Sequence, residues 1–460
     1  MITRLRDIAG LKVTIMGLGL HGGGAATARF FASHGAEVTV TDLRDEDTLA
    51  ESIASLRGFP IRFVLGKHET KDFSGADMVI KNPAVPGDSP YLAAAPTVET
   101  DISIFLRLSS RPIIAVTGSK GKSTTASALA RVLGLYYPDT KLGGNITVSP
   151  LTFAESCTLP SADPVVLELS SWQLADIPDI SLLQPEIAVV TNLLHDHQDR
   201  YSSMEAYAAD KKRIFQSQRE KQATITSFDD PFCRRFAVTT PGSPYIISST
   251  PFAEVFDGGF LRNNRGIIRF GGVEEECLPE PTALPGTHNK LNLLSAAAAL
   301  RIFGLTCEEI SAPLAEFPGI EHRLELVRVI SGVSWYNDSA ATIPEACAAA
   351  VESFKEPVHL ITGGTDKQLD FEVFRRTLFL PDSYHLLEGS ATDKLIPMLK
   401  EAAIPYRGPF SSLSEAVESA YQAAKEGSVV LFSPASTSFG MFLNEFDRGN
   451  KFKKIVETLE

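Results

Sequence analysis

Cysteine is scarce in this chain of 460 residues: there are five (Cys157, Cys233, Cys277, Cys307 and Cys347), an odd number, widely spaced and with no CxxC pair. That pattern speaks against a disulfide framework and against a zinc knot, and it fits a reducing, cytoplasmic setting. Long apolar runs are also missing, since none approaches the roughly 18 residues that a membrane helix needs. The opening MITRLRDIAGLKVTIMGLGL puts basic residues before an apolar stretch, but that stretch is short and broken by glycine. No small-residue cleavage site follows, so it reads as a strand and not as a secretion signal. Blocks of Lys and Arg are lacking too. With 43 basic and 56 acidic residues the formal net charge is −13, which opposes nucleic acid and anionic membranes as partners and leaves a small metabolite.

What is present is a long chain with 44% hydrophobic residues, enough for several cores, and three domains are expected. Short β-branched runs alternate with Ala-rich helical stretches from end to end, the signature of parallel sheets covered by helices, so the fold class is α/β. The pattern restarts at Lys12, at Pro112 and at Val333, and turn-rich stretches rich in Pro and Gly separate the restarts. The resulting domains are 1–100, 101–320 and 321–460. Within the second, the stretch near 228–285 is rich in Gly, Pro and short β-like runs, and its FDGGFLRNNRGIIRFGG reads as hairpins appended to the sheet.

The strongest motif is GSKGKST. Ile113 to Val116 read as a buried strand and the sequence after Thr124 as a helix, so Gly118, Ser119, Lys120, Gly121, Lys122, Ser123 and Thr124 form a strand-to-helix turn. The glycines let backbone N–H groups turn toward phosphate oxygens, and the helix N-terminus adds partial positive charge. Lys122 supplies a mobile cation, and Ser123 offers a hydroxyl to Mg²⁺. Only two residues separate the glycines, against four in the usual nucleotide-binding loop.

Further on, Glu168 ends one buried strand, and His195, Asp196, His197 and Asp199 follow another, where ligands at the carboxyl ends of neighbouring parallel strands converge. On residue type alone Glu168 is equally an ion-pair partner, and the His/Asp cluster equally a solvated loop. The first domain carries Gly17, Gly19 and Gly22 as GxGxxG after a strand, with Asp42 closing the next strand about 20 residues on. Alone, that pattern also fits a dinucleotide site.

The shortened loop, written TGxxGKST, resembles that of the Mur ligases and the folylpolyglutamate synthases, both ATP-dependent amide ligases. LELSSWQL, TNLLHDHQDRY, YAADKKRIF, GGNI, LPGTHNKLN, GIEHRLELV, WYNDSAAT, GGTDKQLDF and FDRGNKFKKI then follow the Mur ligase motifs in order along the whole chain. The first domain, with its nucleotide-type glycine turn, separates this pattern from folylpolyglutamate synthase. The resemblance implies a Rossmann-like first domain that binds a uridine diphosphate substrate, a central P-loop ATPase domain and a Rossmann-like last domain. It implies ATP and two Mg²⁺ ions, with Glu168, His197, Ser123 and a carbamylated Lys211 at the metals and Lys122 among the catalytic residues.

Gly19, Leu20, His21, Asp42 and Leu43 would bind the uridine diphosphate, and Asn145, Ser170 and Gln173 the rest of that substrate. Asn289 and Asn292 would approach the adenine, Arg323 the ATP phosphates and Asp338 the ribose. Thr342, Lys367 and Ser438 would hold the incoming amino acid. The branch it most resembles joins glutamate to UDP-N-acetylmuramoyl-L-alanine through an acyl phosphate, in the cytoplasm and as a monomer, for peptidoglycan precursor synthesis. Three positions depart from the pattern: Lys120 where members usually carry Asn, Ala340 where they carry Lys, and Glu445 where this branch has an aromatic. Ala340 and Glu445 leave the identity and the handedness of the added amino acid open, with D-glutamate and L-glutamate both among the choices.

Overall fold

The computed structural model describes residues 2–20, 22–194, 201–366, 370–438, 441–442 and 444–460. Among them, twenty strands form three sheets. The first comprises β1 (Lys12–Met16), β2 (Glu37–Asp42), β3 (Ile61–Leu65), β4 (Met78–Lys81) and β5 (Val98–Glu99), all parallel in the order β3-β2-β1-β4-β5. β4 is buried along its whole length, as expected of a parallel strand covered on both faces.

The second sheet comprises β6 (Ile113–Thr117), β7 (Lys141–Gly144), β8 (Val165–Glu168), β9 (Ile187–Val190), β10 (Ala223–Ser227), β11 (Ser243–Ser248), β12 (Gly258–Arg262), β13 (Arg265–Phe270) and β14 (Val273–Leu278). Its order is β14-β13-β12-β11-β10-β9-β6-β8-β7. The pairs from β7 to β12 are parallel, whereas β12, β13 and β14 meander antiparallel along one edge. Asn263 (φ 53) and Asn264 (φ 64) make the two-residue turn between β12 and β13, the left-handed conformation that matches strand twist. FDGGFLRNNRGIIRFGG is therefore a hairpin, as the sequence indicated, whereas the part of the stretch before it holds the helix Pro231–Thr239 and the parallel strand β11.

These two sheets belong to one compact unit, Met1–Pro279 with Leu291–Leu314. The helix Asp101–Leu108 joins them, with Thr100 capping it by accepting from the Ser103 amide at 3.1 Å. Its Ile104 and Phe105 are fully buried in the shared core, and each such side chain contributes about 1.5–3 kcal/mol.

The second unit, Glu280–Lys290 with Ala315–Glu460, holds the third sheet. Its strands are β15 (Glu325–Ile330), β16 (Val333–Asn337), β17 (Val358–Gly363), β18 (Pro381–Leu387), β19 (Tyr406–Phe410) and β20 (Val429–Phe432) in the order β15-β16-β20-β17-β18-β19. Only the β15–β16 pair is antiparallel among them. Phe452, on the helix Glu445–Glu457, stacks on Phe432 at 4.8 Å and closes the core. Phe446, on the same helix, stays 38% exposed, its ring 5.7 Å from His322.

Cys277 in β14 and Cys307 are bonded, their Cα atoms 4.6 Å apart, while Cys157, Cys233 and Cys347 are free and buried. A separation of 30 residues gave no local sign of that pairing. Among the described residues no helix is long and apolar enough to cross a membrane.

Candidate active site

β6 is buried throughout and runs into the phosphate loop, from which the helix Lys122–Tyr136 departs with Gly121 as its N-cap. Both loop glycines are required by geometry. At Gly118 (φ 143) a Cβ would lie 1.9 Å from Thr191 Oγ1, and at Gly121 (φ 84) it would lie 2.1 Å from Asn292 Oδ1. The residues after β9 clasp the loop from one side. Asn192 Oδ1 accepts from the Lys120 amide at 2.9 Å, and its Nδ2 donates to the Lys120 carbonyl at 3.1 Å. Thr191 Oγ1 donates to that same carbonyl at 2.6 Å, and the Leu194 amide donates to Ser119 Oγ at 2.9 Å. A turn so fully bonded holds its amides in place before any phosphate arrives. Lys122 Nζ donates to the Ser119 carbonyl at 3.0 Å, and Ser123 and Thr124 are buried in the first helical turn.

Parallel pairing of β6 with β8 sets Glu168 opposite Val116, next to the loop. Glu168 is 1% exposed; its Oε1 accepts from Asn145 Nδ2 at 3.0 Å, and its Oε2 is buried with no hydrogen-bond partner among the described residues. Asn145 is brought there because Gly144 (φ 101) packs against the Glu168 carbonyl, where a Cβ would come within 2.1 Å. Lys211, near the end of the helix Met204–Lys212, is buried and donates to the Gly118 carbonyl at 2.8 Å, with Nζ 4.7 Å from the Tyr207 ring centroid. Glu168, Asn145 and Lys211 thus converge on the loop. The orphaned carboxylate oxygen and the Ser123 hydroxyl are hard oxygen donors of the kind Mg²⁺ takes, so the residues present fit that ion. His197 lies outside the described residues.

Ser170 and Gln173 cap one short helix reciprocally, with Gln173 Oε1 accepting the Ser170 amide at 3.0 Å and Ser170 Oγ accepting the Gln173 amide at 3.2 Å. In the first sheet, Gly17, Gly19 and Gly22 all have positive φ, and Gly22 caps the helix Gly23–Ser33. Asp42 is buried behind this turn, accepting from the Gly19 amide at 3.1 Å and from the Arg44 amide at 2.9 Å. Leu20 and Leu43 are 52% and 67% exposed, two apolar side chains beside the turn. His21 lies outside the described residues.

Asn292 packs on Gly121, whereas the Asn289 side-chain amide donates to the Pro285 carbonyl at 2.8 Å. In the second unit, the loops after β16, β17 and β20 gather at the carboxyl edge of the sheet. Exposed Arg323 stands between His322 (φ 66) and Leu324 (φ 44), two left-handed residues held by bonds from their neighbours. Asp338, expected at a ribose, is buried. Its Oδ1 accepts from the Leu324 amide at 3.1 Å and its Oδ2 from Ser433 Oγ at 2.7 Å. Burial lifts its carboxyl to about 7, with Ser433, Leu324, Arg323 and Arg448 opposing the rise. Thr342 lies on the loop after β16 and buried Ser438 on the loop after β20, which pairs with the loop after β17 through Thr365 and Thr437. Lys367 lies outside the described residues.

Three residues had no assigned role in the sequence reading. Asn192, which clasps the loop, was visible only as part of TNLLHDH. Arg448 is 1% exposed and donates to Ser339 O at 2.7 Å and to Thr437 O at 2.9 Å, tying two of the C-terminal loops together. Lys81, at the end of β4, pairs with Asp176.

A phosphate loop backed by a buried acid and lysine, a second glycine turn in its own parallel sheet, and a third sheet with its loops at one edge define the class, and the chain belongs to the Mur ligase family. The MurD-like N-terminal domain of Mur ligases matches residues 11–104, the Mur ligase middle domain 116–300 and the Mur ligase glutamate ligase domain 322–436. Among its relatives, the UDP-N-acetylmuramoylalanine--D-glutamate ligase of Roseiflexus sp. (strain RS-1) is 42% identical over 98% of this chain and 99% of its own. The enzyme of the same name from Treponema pallidum (strain Nichols) is 39% identical over 98% of each. In fold, the UDP-N-acetylmuramate-alanine ligase MurC of Thermotoga maritima matches with a TM-score of 0.64 at 21% identity over 97% of this chain and 99% of its own. MurF ligase of the same organism, solved with ADP, matches with a TM-score of 0.58 at 16% identity over 99% of this chain and 97% of its own.

Proposed function

We propose that this chain joins glutamate, the D form as in its relatives' names, to UDP-N-acetylmuramoyl-L-alanine, with ATP converted to ADP and phosphate. The observation that carries this reading is the buried Glu168 carboxylate, one oxygen orphaned, beside a phosphate loop whose Gly118 carbonyl receives Lys211. Amide formation from a carboxylate in water is uphill, so the carboxylate must first be activated. The substrate carboxylate oxygen attacks the γ-phosphorus and the bond to ADP breaks, leaving an acyl phosphate. The glutamate amine then attacks the acyl carbon, phosphate departs and the amine loses a proton.

In this reading the loop amides and Lys122 hold the phosphates in line, which supplies both positioning and charge stabilisation for the transferring group. Ser123, Glu168, His197 and carbamylated Lys211 would hold Mg²⁺, which when bound neutralises phosphate charge. Lys120 belongs to the same loop, fixed through both its backbone groups by Asn192. Gly19, Leu20, His21, Asp42 and Leu43 take the uridine diphosphate, and Asn145, Ser170 and Gln173 the muramoyl part. Asn289, Asn292, Arg323 and Asp338 serve ATP, and Thr342, Lys367 and Ser438 serve the amino acid. The functional division is 1–100, 101–320 and 321–460, acting as a cytoplasmic monomer.

The test is phosphate release from ATP with UDP-N-acetylmuramoyl-L-alanine and D-glutamate, L-glutamate or no amino acid, with the product weighed by mass spectrometry. Release and a glutamyl product with D-glutamate alone support the proposal. A product with L-glutamate alone overturns the handedness, and no amide product with either overturns the function.

A further inference from the structure

The ion pair between Lys81 and Asp176 is buried on both sides, with side chains 3% and 10% exposed, and it links the end of β4 in the first sheet to the turn after the Ser170–Gln173 cap. Burying two charges costs hydration that their attraction seldom recovers, and an apolar pair of similar volume commonly holds a fold as well or better. Stability alone is therefore a weak reason for this pair. Its place supplies another: Lys81 lines a small cavity with Gly17, Gly23, Gly24, Asn82 and Asp101, at the glycine turn and the start of the helix Gly23–Ser33. The Asp101 carboxylate there is engaged by Ser149 Oγ at 2.7 Å.

The partner is presented rigidly. Arg213 Nε donates to the Leu174 carbonyl and its Nη2 to the Ile177 carbonyl, each at 2.7 Å, which clamps the turn carrying Asp176 from the segment just beyond Lys211. A helix start with converging amides and a fixed ammonium beside it is a site for a diphosphate.

We propose that Lys81 is a further substrate residue, held by Asp176 at the glycine turn of the first sheet, where its ammonium neutralises the diphosphate of the nucleotide-linked substrate. This rests on the reading of that turn as the uridine diphosphate site. The pairing also ties the turn that follows Ser170 and Gln173 to the strand end beside the glycine turn.

The test is calorimetric titration of the full chain with UDP, together with KM for UDP-N-acetylmuramoyl-L-alanine and for ATP. The proteins compared are the unsubstituted chain, Lys81→Met, Lys81→Arg and the double variant Lys81→Leu/Asp176→Leu. Lys81→Met is expected to weaken UDP binding and raise the KM for the UDP-linked substrate roughly tenfold or more while KM for ATP stays within about twofold, and Lys81→Arg to recover most of the loss. The double variant leaves no lone buried charge, so it is expected to melt like the unsubstituted chain and still show the loss. An unsubstituted chain that binds no UDP overturns the reading of the turn. UDP binding by that chain, with equal binding by the double variant or with equal losses for ATP and the UDP-linked substrate, overturns the role of Lys81.

Discussion

Two glycine turns in this molecule use the same backbone device. Each follows a strand of a parallel sheet, and each caps a helix with a left-handed glycine, Gly22 at φ 83 and Gly121 at φ 84. Their surroundings differ. The first is backed by buried Asp42, which accepts from the Gly19 and Arg44 amides; it has Lys81 and Asp101 beside it and is flanked by exposed Leu20 and Leu43. The second is clasped by Thr191 and Asn192, packed by Asn292, and joined by Lys211 and buried Glu168. A helix start attracts any phosphate; the neighbours decide whether the phosphate is merely bound or is made to react. A turn whose nearby charges are already paired or hydrogen-bonded and whose flanks are apolar suits a nucleotide handle, whereas a turn joined by lysines, an acid with an orphaned oxygen and locked amides suits phosphoryl transfer.

That contrast breaks most sharply at Gly118. Gly118→Ala sets a Cβ 1.9 Å from Thr191 Oγ1 at φ 143, and phosphate release is expected to fall on the order of 100-fold or more as the phosphates lose alignment. ADP binding should fall with it, and UDP binding, read by calorimetry, should not. The mirror experiment is Gly24→Ala, whose Cβ would meet the Leu18 carbonyl at 2.3 Å. Roughly tenfold weaker UDP binding with ADP binding unchanged is expected, since the helix start must shift away from its ligand.

Asp42→Ala removes the acceptor for the Gly19 and Arg44 amides, and steady-state kinetics should show KM for the UDP-linked substrate rising about fivefold, the scale of one lost hydrogen bond near 1 kcal/mol. An equal rise for ATP would erase the distinction between the turns.

The smallest effect concerns a carboxylate outside both turns. Burial lifts Asp338 from 3.8 to about 7, so the folded chain holds that proton where the unfolded chain has released it. Folding then takes up a proton, and the contribution of Asp338 makes stability fall as pH rises between those values and level off above. Melting temperature against pH should show a shallower decline in Asp338→Asn than in the unsubstituted chain. A steeper decline would contradict the burial argument.

Much of this was legible in the sequence because it is local. The loop glycines, Lys122 and the strand-to-helix context sit within a dozen residues, and the three restarts of the βαβ pattern became three sheets. Glu168 could be placed at a strand end from its apolar run, although its orphaned oxygen could not. What the sequence hid depends on distant contacts. Asn192 clasps Lys120 across 72 positions, Lys81 meets Asp176 across 95, and Arg448 reaches Ser339 across 109. Nothing in the residues around any of them names the partner. The same holds for Cys277 and Cys307, and for Asp338, whose motif pointed to a ligand while its burial points first to holding the loop that carries Arg323.

The most direct test of ligation through an acyl phosphate is isotope transfer. UDP-N-acetylmuramoyl-L-alanine labelled with ¹⁸O in its alanyl carboxylate is turned over with ATP and D-glutamate, and the released phosphate is analysed by mass spectrometry. Activation of the carboxylate at phosphorus predicts one ¹⁸O atom carried into each phosphate formed. Phosphate free of label, with amide product accumulating, would contradict it.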